Sequence, residues 1–285
     1  MIYFKLLLVA FVWGGTFIAT RIAAQHLTPF SGAFLRFLFA SAGLLTVMAL
    51  QKKQWPRLDR RGWILHLSLA ASGIIAYNFF FFSALKMLPA SRAALLVALN
   101  PVMVLFATAL VFGEKLRWAQ VLGGLLSLCG AVVVIARGEL RHLFDHFGWG
   151  ELLALGCPAT WAAYTLVSRQ IPRSQSPLVT TTIACLLGTL GLFPLALLEG
   201  LSLRGLPAEV WVALAYLGWM GTVLGFVWYA EGIQRLGTTR TAIFNNLVPV
   251  FGVLLSVLLL HETVHWTVLA GGGLVVIGVA VINLL

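Results

Sequence analysis

The chain repeats itself at one constant offset, residue i of its first half resembling residue i+148 of its second. Thirteen identical pairs keep this register without a gap: Trp13/Trp161, Arg21/Arg169, Pro29/Pro177, Gly43/Gly191, Trp63/Trp211, Gly73/Gly221, Arg92/Arg240, Pro101/Pro249, Glu114/Glu262, Trp118/Trp266, Gly123/Gly271, Gly124/Gly272 and Gly130/Gly278. Chance identity between two apolar segments favours Leu, Val and Ala. These pairs are mostly Trp, Gly, Pro and charged residues, so the offset reports a duplicated architecture.

Of the 285 residues 60% are hydrophobic and only 10% charged, where an ordinary soluble domain carries about 25% charged residues. Apolar runs of about 20 residues are long enough to cross a hydrocarbon core of ~30 Å at about 1.5 Å per residue. Ten such runs can be placed, at 3–24, 30–50, 63–86, 90–112, 117–136, 149–169, 177–199, 208–235, 238–260 and 264–284. The expected fold is an all-α integral membrane protein of ten transmembrane helices. Residues 1–136 form the first repeat, 137–148 a connecting loop and 149–285 the second repeat. The first run lacks a small-residue cleavage site and has only Lys5 at its start, so it reads as an uncleaved span.

Each repeat holds five spans, and an odd number makes the second copy enter the membrane from the opposite face. Inverted halves are a usual basis for alternating access, in which one half closes one side as the other opens. The net charge of +10 does not indicate nucleic acid in such a chain, because the basic residues separate by side of the membrane. With a cytoplasmic N-terminus, twelve of the nineteen Lys and Arg fall on the inner side, led by the run Lys52 to Arg61, and six on the outer, with Arg36 inside the second span. That bias predicts both termini in the cytoplasm. Cys129, Cys157 and Cys185 lie singly inside apolar spans, which points to packing and not to metal or disulfide chemistry.

Polar and aromatic residues gather at mid-membrane depth. Pro101 and Pro249 occupy equivalent places in the fourth and ninth spans, where a proline deprives the carbonyl four residues earlier of its donor. Hydrocarbon tolerates this only beside other protein groups or a wet cavity. Asn100 and Asn245 are candidates to line that cavity, as are Tyr77, Asn78 and Phe81 on the third span and Tyr229 on the eighth. Trp13 and Trp161, with Tyr164 one turn on, are central where Trp ordinarily prefers the interfaces. An Asn at such depth can instead serve only an interhelical hydrogen bond.

Arg36 is the deepest charge, roughly 9 Å from the outer end of its span, and an unpaired charge at the membrane centre costs at least about 2.5–3.5 kcal/mol. It reads as an anchor for a carboxylate, a gate-forming group, or a snorkelling or structurally paired cation. Glu231 is placed to pair with Arg235 at i+4, and Glu114 and Glu262 to organise the turns into the spans that follow them. The Gly-rich fifth and tenth spans read as packing helices, against their own repeat or against a second subunit in a homodimer. Gly225, with Gly221 a G-x-x-x-G on the eighth span, reads as a point of close crossing or helix break.

Trp13-Gly14-Gly15-Thr16-Phe17, Arg36-Phe37, Ala84-Leu85-Lys86 through Ser91, Asn100-Pro101-Val102, Gly113-Glu114 and Gly123-Gly124, echoed by Asn246 to Pro249, Glu262 and Gly271-Gly272, are similar to a known pattern. The chain resembles the EamA-type transporters of the drug/metabolite transporter superfamily over nearly its whole length. That resemblance implies a carrier of the bacterial inner membrane whose cavity is formed mainly by spans 1, 3, 4, 6, 8 and 9. It also implies export of amino acids or related metabolites, or of toxic organic compounds.

The reading that follows is a secondary transporter exporting a small amphipathic metabolite, amino acids first, by alternating access. The partners it needs are its small-molecule substrate and the bilayer. No P-loop, metal-ligand spacing or converging nucleophile and base is visible, so neither cofactor nor catalytic role is expected. An exporter of lipophilic cations or drugs is the nearest rival, opposed by the lack of a deep carboxylate. A membrane scaffold or intramembrane enzyme is the rival from another class.

Overall fold

The computed structural model describes all residues except 137–146, 173, 237–240, 242 and 285. Its described residues form ten helical rods in chain order: α1 (Ile2–Ala24), α2 (Pro29–Leu50), α3 (Arg60–Met87), α4 (Ala90–Phe112), α5 (Trp118–Ala136), α6 (Trp149–Ser168), α7 (Pro177–Leu198), α8 (residues 208–236), α9 (Ile243–Leu260) and α10 (Trp266–Leu284). Eight of them are long and apolar enough to cross a membrane by length and composition. α6, with 20 residues, has the length as well. The expected connection at 137–148 and the start of the ninth span at 238 lie almost wholly outside the described residues.

Local chemistry explains where the rods begin and end. Pro29 and Pro177 open α2 and α7 after extended Thr28 and Ser176, where the missing N–H has no partner to lose. Asp59 starts α3 by accepting from Gly62 N at 2.7 Å, three residues before the expected start. Gly113 ends α4 in the left-handed conformation, φ +66°, which favours glycine.

The inversion is visible in how repeat-equivalent helices meet. On α5 and α10, Gly123 packs on Gly278 and Gly130 on Gly271. Numbers rise along one helix as they fall along the other, so the two run antiparallel. The offset of 148 carries the first contact onto the second, as a two-fold axis between the helices requires. Ser127 Oγ adds a hydrogen bond to the Val275 carbonyl at 3.2 Å across the same seam. The glycine faces are thus consumed inside one chain, and a homodimer here would have to use the outer faces, with Leu122, Leu125 and Ile277. α2 and α7 are likewise antiparallel, with Ser41 Oγ 3.0 Å from Thr189 Oγ1 and Phe34 against Phe193.

Carboxylates tie the rods together at their ends. Glu262 accepts from Ala90 N, Ser91 N and Ser91 Oγ at 2.7–3.0 Å, so it caps α4 from the other repeat and does not merely organise its own turn. Glu114 instead pairs with Arg169, the residue that follows α6, at 2.9 Å. Glu199 caps α2 through Phe30 N at 2.8 Å. Glu231 meets Arg235 at 2.9 Å and also Lys5 of α1 at 2.7 Å. Buried Arg92 joins Glu151 at 3.0 Å and the Ile135 carbonyl, linking α4, α5 and α6.

Candidate functional site

α3 and α8 leave the α-helical path at the same repeat position. Ala70–Ala76 and Tyr216–Leu224 wind as π-helix, a rare, wider turn that frequently marks functional sites. Gly73 and Gly221 lie inside these segments and admit side chains from the neighbouring helices. A Cβ at Gly73 would overlap the Tyr164 ring, and one at Gly221 would press on Thr16. The pair Thr16/Gly221 becomes Tyr164/Gly73 under the offset, so both crossings are one contact written twice.

α4 and α9 are interrupted at a second repeated position. α4 turns at Ala98 and Leu99 between Ala90–Val97 and Asn100–Phe112. In α9 the five residues Ile243–Leu247 form a 3₁₀ turn before Val248–Leu260. Pro101 and Pro249 therefore stand in the first turn of a new helix, not in the interior of a continuous span as expected. A proline there costs no hydrogen bond, which explains why the chain breaks before it. The Asn residues lie on these turns: Asn100 at the start of its helix, Asn245 within the 3₁₀ segment.

The anticipated residues separate into two clusters. Arg36, Tyr77, Asn78, Trp161 and Tyr164 share the wall of a small cavity of ≈ 50 Å³. Its remaining wall comes from α7 and α8, including Ala184, Cys185 and Phe226. Helices α2, α3, α6, α7 and α8 thus form it, in place of the set 1, 3, 4, 6, 8 and 9. Tyr77 and Trp161 approach at 5.7 Å between ring centroids, and Trp161 stacks on Tyr164 at 5.2 Å. Arg36 Nη1 donates to Asn78 Oδ1 at 2.8 Å, and Asn78 Nδ2 donates to the Ile74 carbonyl at 2.8 Å.

The second cluster is built around Trp13. Its Nε1 donates to the Gly221 carbonyl at 2.9 Å, and its ring lies 5.2 Å from Tyr229 and 6.0 Å from Phe226. Tyr229 accepts at its hydroxyl from Asn245 Nδ2 at 3.0 Å. Phe226 belongs to both clusters and joins them. The Tyr77 hydroxyl is met by the Asn100 side chain, so each half has one Tyr–Asn pair. Those pairs are not offset-equivalents, each member being displaced by about one turn from its counterpart.

Two anticipated residues take other places. Phe81 is 2% exposed, stacked on Tyr77 and edge-on to Phe17, behind the cavity wall and not in it. Gly225 is helical, φ −55° and ψ −52°, so the chain does not break there. Its missing Cβ is what lets the Trp13 indole lie against α8. Asn100 has a buried Oδ1 without a hydrogen-bond partner.

Other site residues carry no repeat signal in the sequence. Cys185 and Thr222 of the cavity wall fall opposite Phe37 and Ile74 at the offset. A larger, shallow groove of ≈ 510 Å³ runs outside α2 and α8, along Gly43, Val47, Trp219 and Val223. Almost wholly apolar, it lacks the few converging polar groups of a small-molecule site, so the smaller cavity is the candidate.

Comparison with known proteins agrees with this architecture. A family model described as the EamA-like transporter family matches residues 1–136 and again 148–284. An uncharacterized transporter of Archaeoglobus fulgidus is 31% identical over 276 residues, covering 96% of this chain and 94% of its own. A protein of Salmonella typhimurium named a probable amino-acid metabolite efflux pump is 29% identical over 96% of this chain and 92% of its own. A solved crystal structure superposes with a TM-score of 0.72 at 26% identity, covering 99% of this chain and 96% of that one.

Proposed function

Since the chain belongs to the EamA-like transporter family, we propose that it is a secondary carrier of the bacterial inner membrane that exports a small amphipathic metabolite, amino acids first, by alternating access. One observation carries this reading. The four central helices α3, α4, α8 and α9 are irregular at two offset-equivalent positions, and those positions surround the aromatic and polar clusters. Irregular helices beside a midplane site are what inverted-repeat carriers use to bind and to move.

The ends of the rods supply the closures. With both termini in the cytoplasm, Arg92–Glu151 and the Glu262 cap lie on the outer side, and Lys5–Glu231–Arg235 and Glu114–Arg169 on the inner. Each network bridges different helices, so one can part while the other holds. The relative named a probable amino-acid metabolite efflux pump supports amino acids as the first class to try.

The test is flux into and out of proteoliposomes that contain only this protein, screened across amino acids and organic cations. Saturable counterflow of an amino acid is the expected result. Absence of flux for every member, while another protein co-purifies in fixed ratio, would favour a scaffold and defeat the carrier.

A further inference from the structure

Arg36 holds a buried positive charge that the described protein does not neutralise. It is 9% exposed, and its Nη1 donates to the neutral Asn78 Oδ1 at 2.8 Å. Asn78 is fixed in that orientation by its own bond to the Ile74 carbonyl. Arg36 Nε is buried with no partner at all. A guanidinium presents a planar fork of five donors, and Asn78 occupies only the Nη1 side.

The described carboxylates are all committed elsewhere. Asp59, Glu199 and Glu262 cap helices, while Glu114, Glu151, Glu209 and Glu231 face other basic side chains. The ring of its neighbour Phe37 lies 5.3 Å from the guanidinium carbon, and the neutral Tyr77 and Cys185 share the cavity wall with it. An amide oxygen and an aromatic face lower the cost of a membrane charge without cancelling it. Such a site is incomplete until an anion enters.

We propose that Arg36 is the receptor for a carboxylate on the transported molecule, bound side-on through Nε. This rests on the carrier reading and adds the chemical class of the cargo: a small organic acid or zwitterion with an apolar body. Arginine is suited to the task because its fork matches a carboxylate in two parallel hydrogen bonds. Tyr77, Trp161 and Tyr164 form the adjoining wall and would take the apolar body. The cavity of ≈ 50 Å³ has room for a carboxylate-sized group but not for a whole metabolite, so the aromatic wall parts when cargo is loaded.

The repeat makes the receptor single. At the offset, Arg36 corresponds to Ala184, and Ala184 lines the same cavity at 1% exposure. One cation in a pseudo-symmetric site gives the cargo one orientation, carboxylate toward α2. Lipophilic cations would be repelled by the same charge.

Two arms test the assignment. In proteoliposomes, full-length protein is offered probes matched in skeleton: phenylalanine, 3-phenylpropionate and phenethylamine, then leucine and isoamylamine. The acids are expected to move and the amines not, with Arg36→Gln losing at least tenfold and Arg36→Lys retaining part of the flux. Amines moving as fast as acids, or wild-type acid flux in Arg36→Gln, would overturn the receptor and leave the carrier standing.

The second arm does not depend on finding the cargo. Ala184→Asp places a carboxylate in the cavity, and in detergent it is expected to raise the apparent Tm while abolishing acid transport. In an Arg36→Gln background the same change is expected to lower the Tm, since an unpaired buried acid destabilises. Equal loss of Tm in both backgrounds would mean that Arg36 needs no anion and would overturn the proposal. Should no probe move in the first arm, the carrier reading fails for these compounds and this thermal comparison still decides Arg36.

Discussion

Trp13 lies in the space that Gly225 leaves open, its indole Nε1 donating at 2.9 Å to the Gly221 carbonyl of the π-helical segment. The offset turns this pair into Trp161 and Tyr77, which meet ring to ring at 5.7 Å. One half therefore seats its Trp on a bare backbone, and the other seats it on a tyrosine that lines the cavity. The difference between Gly225 and Tyr77 is a difference between a framework contact and a site contact.

Gly225→Ala is expected to displace the Trp13 ring, since the new methyl would overlap the indole. Overpacking of this kind costs about 1–3 kcal/mol of stability, and moving the ring out of the way breaks its bond to the Gly221 carbonyl. Transport should fall with expression intact, and Trp13→Phe should partly rescue the variant. Measured flux equal to wild type would show that Trp13 has no fixed seat.

Asn100→Ala removes the group facing the Tyr77 hydroxyl. It also removes a buried oxygen without a partner, so stability should change little. Interhelical hydrogen bonds in membranes average only about 0.6 kcal/mol. The expected outcome is a raised KM for cargo at unchanged Tm; a large fall in Tm with unchanged KM would assign Asn100 to the framework.

Arg92 and Glu151 are 6% and 5% exposed and form a buried pair. Glu151→Gln should destabilise the protein, because it removes the carboxylate charge that faces Arg92 at 3.0 Å in this buried pair. Replacing both, as Arg92→Met with Glu151→Leu, should recover much of that loss. Thermal unfolding of the single and double variants in detergent reads the comparison directly.

Gly278→Val is expected to force α10 away from α5, since a Cβ at that position would meet the Gly123 carbonyl and Ser127. The backbones there have no slack, so yield and Tm should drop. Leu125→Val on the outer face of α5, which is 50% exposed, should leave both unchanged. Cargo affinity of whatever Gly278→Val protein survives should stay near wild type, because neither α5 nor α10 contributes a residue to the cavity wall.

Much of this could be read from residues alone. The ten rods and their five-and-five division followed from apolar run lengths and from thirteen rigidly spaced pairs, and the family from the resemblance carried by stretches such as Trp13 to Phe17 and Asn100-Pro101-Val102. Tyr77, Trp161, Tyr164, Asn78 and Arg36 were all legible as central, and they meet in one cavity. The π-helical turns were not legible, because no residue preference distinguishes Ala70–Ala76 from an ordinary span. Pro101 and Pro249 marked the right places but the wrong event: the chain turns before each proline and restarts on it.

The apolar content of each span and the parity of a five-span repeat are local and additive properties, so the amino-acid order alone determined the number of helices and their inversion. Which face each helix turns inward depends on packing against several neighbours at once. That is why only the tertiary structure placed α2 and α7 in the cavity wall, pointed Glu262 at α4, and set Arg36 against Asn78 with one side of its fork still free.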